Sequence, residues 1–193
     1  MQTNSSWIDL RPITDLPDDC PLITEQERSA AMSMPSPRRR REWLMWRAVV
    51  REHLGVDTRI GYDAVGAPIL IDLSGYIGIS HDREQVAVMY SENRCAVDIE
   101  TLSRRFDKIA SKYMTDAERL LDGAEHHLFP AAAWCAKEAV YKYSGRPHAG
   151  FLRDIAITGC DWQNMILKVR TPWQDDIAVS LRLYGQTLMA AIG

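Results

Sequence analysis

The sequence is poor in cysteine, carries little net charge and contains no long apolar run. Its four cysteines lie far apart, without a CxxC pair or a Cys/His cluster at zinc spacing, which favours reduced, buried thiols in a cytosolic protein. The net charge of −3 gives no general attraction to nucleic acid or to an anionic membrane. No stretch approaches the ~18 apolar residues of a membrane span, and the N-terminus lacks the basic and apolar regions of a signal peptide. We therefore expect a cytoplasmic protein that binds neither nucleic acid nor membrane and holds any anionic ligand locally.

The first half predicts one long helix and several short strands. Ser36 and Pro37 are typical of a helix start, with serine as the cap and proline in the first turn. The helix is predicted at 38–54 and ends at Gly55, a residue that commonly terminates helices. Strands are predicted at 7–13, at 59–70 as two strands around a turn, and at 76–80, 85–90 and 95–100.

The second half repeats this order of elements. Helical segments are predicted at 105–113, 115–121 and 131–143, and strands at 154–158, 165–169, 177–183 and 187–192. Each half is therefore a helical block followed by a block of antiparallel strands, which is an α+β organisation. The repeat concerns the order of the elements and not the identity of their residues.

Two carboxylates, Asp98 and Glu100, lie in the strand predicted at 95–100. Side chains alternate between the two faces of a strand, so these two point the same way. Adjacent carboxylates on one face repel each other unless a cation lies between them, and carboxylate oxygens are the ligands that magnesium prefers. By itself, a segment of this kind is more often a solvated strand end with an acidic face than a metal site.

A charged pair in the helix predicted at 131–143 changes this balance. Glu138 and Lys142 are four positions apart and share a face with Trp134 and Tyr141, in a helix that is otherwise strongly apolar. Charges in a buried helix need partners, and a buried ion pair seldom repays its desolvation. A third metal carboxylate from Glu138, with Lys142 near an anionic phosphate, satisfies both charges.

Arginines cluster at the start of the long helix. Arg40, Arg47 and Arg51 are seven and four positions apart and form one stripe, and the fixed donors of guanidinium groups suit phosphate recognition. The alternative is a solvated helix face, which the sequence favours for the first two arginines of the run. A lone histidine at a strand end, His81, is likewise more often structural than functional.

Together these segments resemble the 4'-phosphopantetheinyl transferase superfamily. The family has a small-hydrophobic-Asp-hydrophobic-Glu strand, followed further along the chain by an aromatic-x-x-Lys-Glu-Ala-x-x-Lys helix. Residues 96–100 and 134–142 match these two motifs, with Glu138 falling 38 positions after Glu100. The arginine-rich helix at 39–47 and the Ile-Ser-His strand end at 79–81 are similar to the long, surfactin-type class.

The resemblance implies a fold and a reaction. The fold is α+β, with two similar α+β subdomains in one chain, related by a pseudo-two-fold axis and active as a monomer. Residues 1–97 would form the coenzyme A nucleotide side, and residues 98–193 would carry the metal and phosphate site at the interface. The reaction transfers the 4'-phosphopantetheine arm of coenzyme A to a serine of an apo acyl or peptidyl carrier protein and releases 3',5'-ADP.

The resemblance also implies roles for individual residues. Asp98, Glu100 and Glu138 would hold Mg²⁺, or Mn²⁺, on the coenzyme A pyrophosphate. Asp98, Glu138 and Lys142 would form the catalytic set, in which Glu138 takes the serine proton, directly or through water. The remaining contacts to coenzyme A are assigned to Arg40, Arg47, Ser80, His81, Lys137 and Lys142.

Three residues depart from the family pattern. Ala67 stands where the hairpin often has a lysine, which removes one contact to the 3'-phosphate that Arg59 or the arginine stripe could supply. Asp82 follows His81 where a serine is usual, and it places a negative charge near the expected phosphate. Ala96 replaces a glycine before the acidic strand, where little change is expected.

Two other functions are open at the level of sequence. A coenzyme A-binding homologue could have lost transfer activity, in which case binding persists without transfer. A metal-dependent phosphodiesterase or nuclease could use the same three carboxylates, and it would hydrolyse its substrate without a carrier protein.

Overall fold

The structure is a computed structural model that describes residues 6–193. The chain divides into two compact units between Arg94 and Cys95, and both units combine helices with antiparallel sheets. Within the described range, no helix combines the length and apolarity that crossing a membrane requires. The division of ligand roles between 1–97 and 98–193 stays a prediction.

Over residues 6–94, the structure of the first unit shows two helices and two sheets. A three-stranded sheet has the order β1-β5-β4, and β2 and β3 form a separate hairpin. The elements are β1 (Trp7–Pro12), α1 (Glu25–Met32), α2 (Pro37–Leu54), β2 (Ile60–Tyr62), β3 (Pro68–Leu70), β4 (Tyr76–His81) and β5 (Gln85–Ser91).

The two helices of this unit begin at side-chain caps. The Ser36 hydroxyl accepts from the Arg39 amide at 3.3 Å, Pro37 follows as the first helical residue, and Gly55 ends α2 with a φ of 105°. The long helix predicted from the sequence is thus confirmed. Thr24 caps the start of α1 and forms a capping box with Glu27. This Thr-x-x-Glu signal is visible in the sequence and could have predicted α1.

The second unit contains one five-stranded antiparallel sheet with the order β6-β10-β9-β8-β7. Its main helix, α4, packs on β6 and β10. The elements are β6 (Ala96–Thr101), a 3₁₀ helix (Phe106–Lys112), α3 (Asp116–Arg119), α4 (Phe129–Ser144), β7 (Ala156–Asp161), β8 (Ile166–Thr171), β9 (Gln174–Tyr184) and β10 (Thr187–Ile192).

The predicted repeat of elements appears as a shared connectivity. Each unit opens with a strand that pairs antiparallel with the last strand of the same unit, and the last strand also pairs with the strand before it. The helical segment predicted at 105–113 is present as a 3₁₀ helix. One prediction in the second unit needs correction, since the helix predicted at 115–121 has only four residues and is followed by turns.

Helix α4 is apolar on nearly all sides, as its sequence predicts. Its alanines, with Phe129, Cys135 and Val140, are buried against the sheet. Gly145 follows Ser144 in the left-handed region, with φ 63° and ψ 22°, and ends the helix there. The few charged side chains of α4 therefore have to reach partners at the edges of this core.

Candidate active site

The acidic strand β6 turns both of its carboxylates toward α4. Asp98 pairs with Ala190 and Glu100 with Leu188 of β10, so the two carboxylates lie two residues apart on one face. Asp98 is nearly buried, with 5% exposure, and Glu100 is half-buried. The expectation that these side chains share a face is confirmed.

Helix α4 meets these carboxylates with two residues that lie about two helical turns apart. The Lys142 ammonium lies 2.7 Å from Oδ1 of Asp98 and donates to the carbonyl of Val97 at 3.2 Å. The indole Nε1–H of Trp134 donates to Oε1 of Glu100 at 2.8 Å. Strand and helix are thus joined at both ends of one acidic face.

Arg104 adds a second cation to this face. Its guanidinium forms an ion pair with Glu100, four residues earlier, and lies 4.5 Å from the centroid of the Trp134 ring. Sequence reasoning did not assign Arg104 a role, although its spacing from Glu100 permits the contact. Asp98 and Glu100 are therefore each neutralised by a cation of the same unit.

Glu138 lies between these contacts on α4. Burial raises its pKa, and the negative charges of Asp98 and Glu100 raise it further, while Lys142 and Arg104 oppose the shift. The charges of both Asp98 and Glu100 thus act on the Glu138 carboxyl. The structure thus brings Asp98, Glu100, Glu138 and Lys142 together.

Behind this face lies the thiol of Cys135. Burial raises its pKa well above the ordinary value, and the neighbouring charges of Asp98 and Glu100 add to the shift. The thiol therefore keeps its proton, and its Sγ lies 4.0 Å from the carbonyl oxygen of Leu188, to which it donates a hydrogen bond. Sequence reasoning treated Cys135 only as a buried cysteine.

The donors fit a hard divalent cation in their chemistry. Asp98, Glu100 and Glu138 offer carboxylate oxygens, which are ligands that magnesium prefers. Across residues 6–193, however, no group of three His, Cys, Asp or Glu side chains is arranged as a metal centre. The fold therefore gathers the donors without placing them in coordinating geometry.

Lys137 does not belong to this group. Its side chain has 0% exposure, and its ammonium lies 2.7 Å from Oε1 of Glu118. Sequence reasoning assigned it a phosphate contact on the basis of the family resemblance. A fully buried ammonium that is already paired cannot reach a ligand from solvent, so the structure does not support that contact.

The arginine stripe of α2 also meets protein partners. The Arg47 guanidinium lies 3.4 Å from the Trp43 ring centroid and 4.0 Å from that of Trp46, and its Nε is 3.1 Å from Glu27. Arg51 contacts the same carboxylate at 2.7 Å. The family resemblance predicted a contact between Arg47 and the nucleotide. Glu27 and the two indoles instead bury Arg47, so that only 2% of the residue is exposed.

Arg40 takes a third arrangement in the same helix. It is half-buried and donates to the carbonyl of Met34 at 3.3 Å. It lines a cavity of about 430 Å³, together with Arg28, Arg41 and Asp18. The three arginines of the predicted stripe thus share a helix without sharing one ligand-facing surface.

His81, at the end of β4, borders a second cavity. Ser80 is buried, and His81 is half-exposed with its Nδ1 3.5 Å from Oε2 of the buried Glu42. The cavity measures about 420 Å³ and has a largely apolar wall, formed by Met34, Pro35, Arg39, Glu42, Trp43, Trp46 and His81.

Two of the departures from the family pattern, Asp82 and Ala67, lie in turns that side-chain acceptors stabilise. Oδ1 of Asp82 accepts the amides of Glu84 and Gln85 at 2.7 Å each, and so closes the turn between β4 and β5. The amide of Ala67 donates to Oδ1 of Asp63 at 2.8 Å in the β2–β3 turn. Asp82 is therefore engaged by backbone donors.

Comparison with protein families gives a match that lies almost wholly within the second unit. Residues 94–188 match the model of the 4'-phosphopantetheinyl transferase superfamily. The match spans Asp98, Glu100, Glu138 and Lys142, and it excludes the arginine-rich helix and the His81 region. A comparison with curated proteins gives no match.

Proposed function

We propose that this protein transfers 4'-phosphopantetheine from coenzyme A to a serine of an apo acyl or peptidyl carrier protein and releases 3',5'-ADP. One observation carries the proposal. Within the region that matches the superfamily, Asp98 and Glu100 of β6 meet Glu138 and Lys142 of α4 in one electrostatic cluster. In the second unit this cluster joins several carboxylates to an ammonium that is one-third exposed.

The chemistry assigns each side chain a task. The serine oxygen forms a bond to the β-phosphorus of coenzyme A, the phosphoanhydride bond to the leaving 3',5'-ADP breaks, and the hydroxyl proton passes to Glu138. Glu138 is the candidate for this proton because it lies on α4 between Trp134 and Lys142, whose side chains contact Glu100 and Asp98. Lys142 presents a positive charge where negative charge develops on the phosphate oxygens.

Magnesium dependence is part of this proposal. Asp98, Glu100 and Glu138 would hold Mg²⁺, or Mn²⁺, and the bound ion would neutralise the pyrophosphate oxygens. To bind the ion, Asp98 would give up part of its ion pair with Lys142, and Glu100 part of its ion pair with Arg104. The released ammonium of Lys142 then becomes available to phosphate.

The first unit would supply the nucleotide site. His81 and the cavity beside Trp43 and Trp46 offer an apolar wall with a histidine and a carboxylate at its edge. We propose that the protein belongs to the long, surfactin-type class and is a cytoplasmic monomer with a pseudo-two-fold arrangement of its units. The shared strand connectivity of the two units supports this arrangement.

An assay of group transfer tests the proposal. The protein is incubated with coenzyme A, Mg²⁺ and a panel of apo acyl and peptidyl carrier proteins, and the carriers are examined by mass spectrometry. We expect one or more carriers to gain a phosphopantetheine group, and Asp98→Asn and Glu138→Gln to abolish the gain. Glu125→Gln, an exposed change in the same unit, is the matched control and should behave as wild type.

Two results would contradict the proposal. Binding of coenzyme A without transfer to any carrier would identify a binding protein that lacks the activity. Cleavage of a phosphodiester or pyrophosphate substrate without a carrier would identify a hydrolase that uses the same carboxylates.

A further inference from the structure

The ammonium of Lys137 is a fixed point inside the second unit. Its side chain is fully buried, and Nζ contacts two acceptors, Oε1 of Glu118 at 2.7 Å and the carbonyl of Phe151 at 2.8 Å. Glu118 lies in α3, and Phe151 lies in the segment 145–155 that connects α4 to β7. One cation thus ties α4 to two other parts of the chain.

Three further donors contact the Glu118 carboxylate. Its Oε2 accepts the amide and the hydroxyl of Thr115, at 2.7 and 3.0 Å. Its Oε1 accepts the amide of Ile157 at the start of β7, at 2.8 Å. With so many donors the carboxylate has little freedom to move, so the position of the Lys137 ammonium is fixed too.

The Phe151 side chain connects this pair to the acidic face. Its ring lies edge-on to that of Trp134, with centroids 5.6 Å apart, and also edge-on to that of Tyr141 at 6.1 Å. Trp134 is held from another side by Tyr113, at 5.2 Å. The same indole donates to Glu100 at 2.8 Å, so its orientation sets the position of that carboxylate.

We propose that Lys137 is a positioning residue, which fixes the segment 145–155 through the Phe151 carbonyl so that the Phe151 ring holds Trp134 in hydrogen-bonding contact with Glu100. Its importance for catalysis rests on the proposed function, because Glu100 is one of the carboxylates of the proposed site. Its effect on Trp134 is independent of that function.

Stability alone does not account for this arrangement. A buried ion pair is often no more stabilising than apolar side chains of similar volume, and α4 is otherwise packed with apolar residues. What an apolar side chain cannot supply is the donor to the Phe151 carbonyl. The arrangement therefore predicts that loss of the donor disturbs Trp134 and Glu100 beyond any loss of stability.

Three variants separate the contributions. Lys137→Met removes the donor at nearly constant volume, and combining it with Glu118→Gln avoids leaving a buried charge. Phe151→Leu keeps the ion pair and removes the ring from Trp134, so it tests the same connection if the Lys137 variants do not fold. Trp162→Phe is the matched control, since it removes a hydrogen bond to Gly123 elsewhere in the unit.

The main readout is the indole N–H signal of Trp134 in heteronuclear NMR, assigned with Trp134→Phe. In both Lys137 variants and in Phe151→Leu we expect this signal to shift and its exchange with solvent to accelerate about tenfold or more. The kcat for carrier modification should fall roughly 10- to 100-fold, as is typical when partners of a site's ligands are lost. Trp162→Phe should leave the signal and kcat unchanged.

The outcomes keep the two proposals apart. If all variants lose stability but the Trp134 signal stays as in the wild type, Lys137 only stabilises the fold and the inference is overturned. If the signal moves while kcat per folded molecule is unchanged, the positioning role in catalysis is overturned. If the wild type transfers nothing to any carrier, the proposed function fails, and the NMR signal still decides whether Lys137 positions Trp134.

Discussion

The Lys142 ammonium and the Asp98 carboxylate, 2.7 Å apart, join α4 to β6 at the point where the core of the second unit meets the candidate site. The two side chains differ in exposure. The Asp98 side chain is 8% exposed and that of Lys142 is 33% exposed. A solvent-borne phosphate can therefore approach the cation, while the carboxylate is held from behind by the protein.

Replacement of Lys142 by Met should remove transfer activity with a moderate loss of stability. The change removes the exposed positive charge and leaves the negative charge of Asp98 less well neutralised. We expect kcat to fall by about 10²-fold or more, the scale at which loss of one preorganised electrostatic group acts. Steady-state kinetics with a responsive carrier measures the effect. Lys112→Met, which removes an exposed lysine of the same unit, should retain activity, and equal losses in both variants would contradict the assignment.

Replacement of Glu138 by Gln should stabilise the protein at neutral pH while abolishing transfer. Burial and the charges of Asp98 and Glu100 raise the pKa of Glu138 above its unfolded value, so its ionised form destabilises the folded state. The penalty is absent below the unfolded pKa of 4.5 and develops as pH rises through the folded pKa. At pH 7 we expect Glu138→Gln to gain on the order of 1 kcal/mol.

Thermal unfolding at several pH values checks this prediction. The gain should correspond to roughly 2–4 °C in Tm for a chain of this size. It should shrink as the pH is lowered and disappear below 4.5, where both states bind the proton. A gain that does not change with pH would mean that the charge of Glu138 is not its source.

Two cysteines should resist alkylation in the folded protein. Burial raises the pKa of the Cys135 thiol well above its ordinary value, and burial with the charges of Glu125 and Asp122 raises the pKa of Cys160 to about 11. Since the thiolate is the reactive form, at pH 8 we expect iodoacetamide to modify Cys160 roughly 100-fold more slowly than a free thiol. Cys135 should be slower still.

Timed alkylation followed by peptide mass spectrometry measures these rates. The same reaction in urea is the control, because unfolding restores ordinary pKa values and exposure. Labelling of Cys135 at the same rate with and without urea would show that the back of the acidic face is open to solvent.

Replacement of Glu27 by Gln should strongly destabilise the first unit. Glu27 is the carboxylate that both Arg47 and Arg51 contact, and the two guanidinium groups are nearly fully buried. Loss of one partner from a buried ion-pair network costs about 3 kcal/mol, because the remaining charges stay desolvated. Urea unfolding followed by tryptophan fluorescence gives the free energy of unfolding.

The neighbouring Glu25 offers a matched control for this change. It lies in the first turn of α1 and is exposed, so Glu25→Gln should cost little. Similar losses in both variants would indicate a general effect of charge at the helix start and would contradict the network. The pH dependence adds a second check. Burial raises the pKa of Glu27, but contacts with Arg51 and Thr24 outweigh it, so the contribution should be complete above pH 4.5 and decline below.

The sequence was most informative where structure depends on neighbours along the chain. The limits of α2 follow from Ser36, Pro37 and Gly55, which cap, start and end a helix by local backbone chemistry. The location of Asp98 and Glu100 on one face of β6 follows from the alternation of side chains in a strand. In the same way, the spacing of Trp134, Glu138 and Lys142 follows from the helical repeat. Each of these relations spans only a few residues.

Two cations to which the family resemblance assigned ligand contacts, Lys137 and Arg47, are buried against carboxylates that are distant in the sequence. Lys137 and Lys142 lie in the same helix motif, but α3 brings Glu118 to Lys137, whereas β6 brings Asp98 to Lys142. Arg47 meets Glu27 because α1 packs on α2. Helical and strand periodicity determine which side of an element a charge occupies. Which carboxylate reaches that side, and whether solvent remains there, depends on packing between elements that are distant in sequence, and only the tertiary structure decided it.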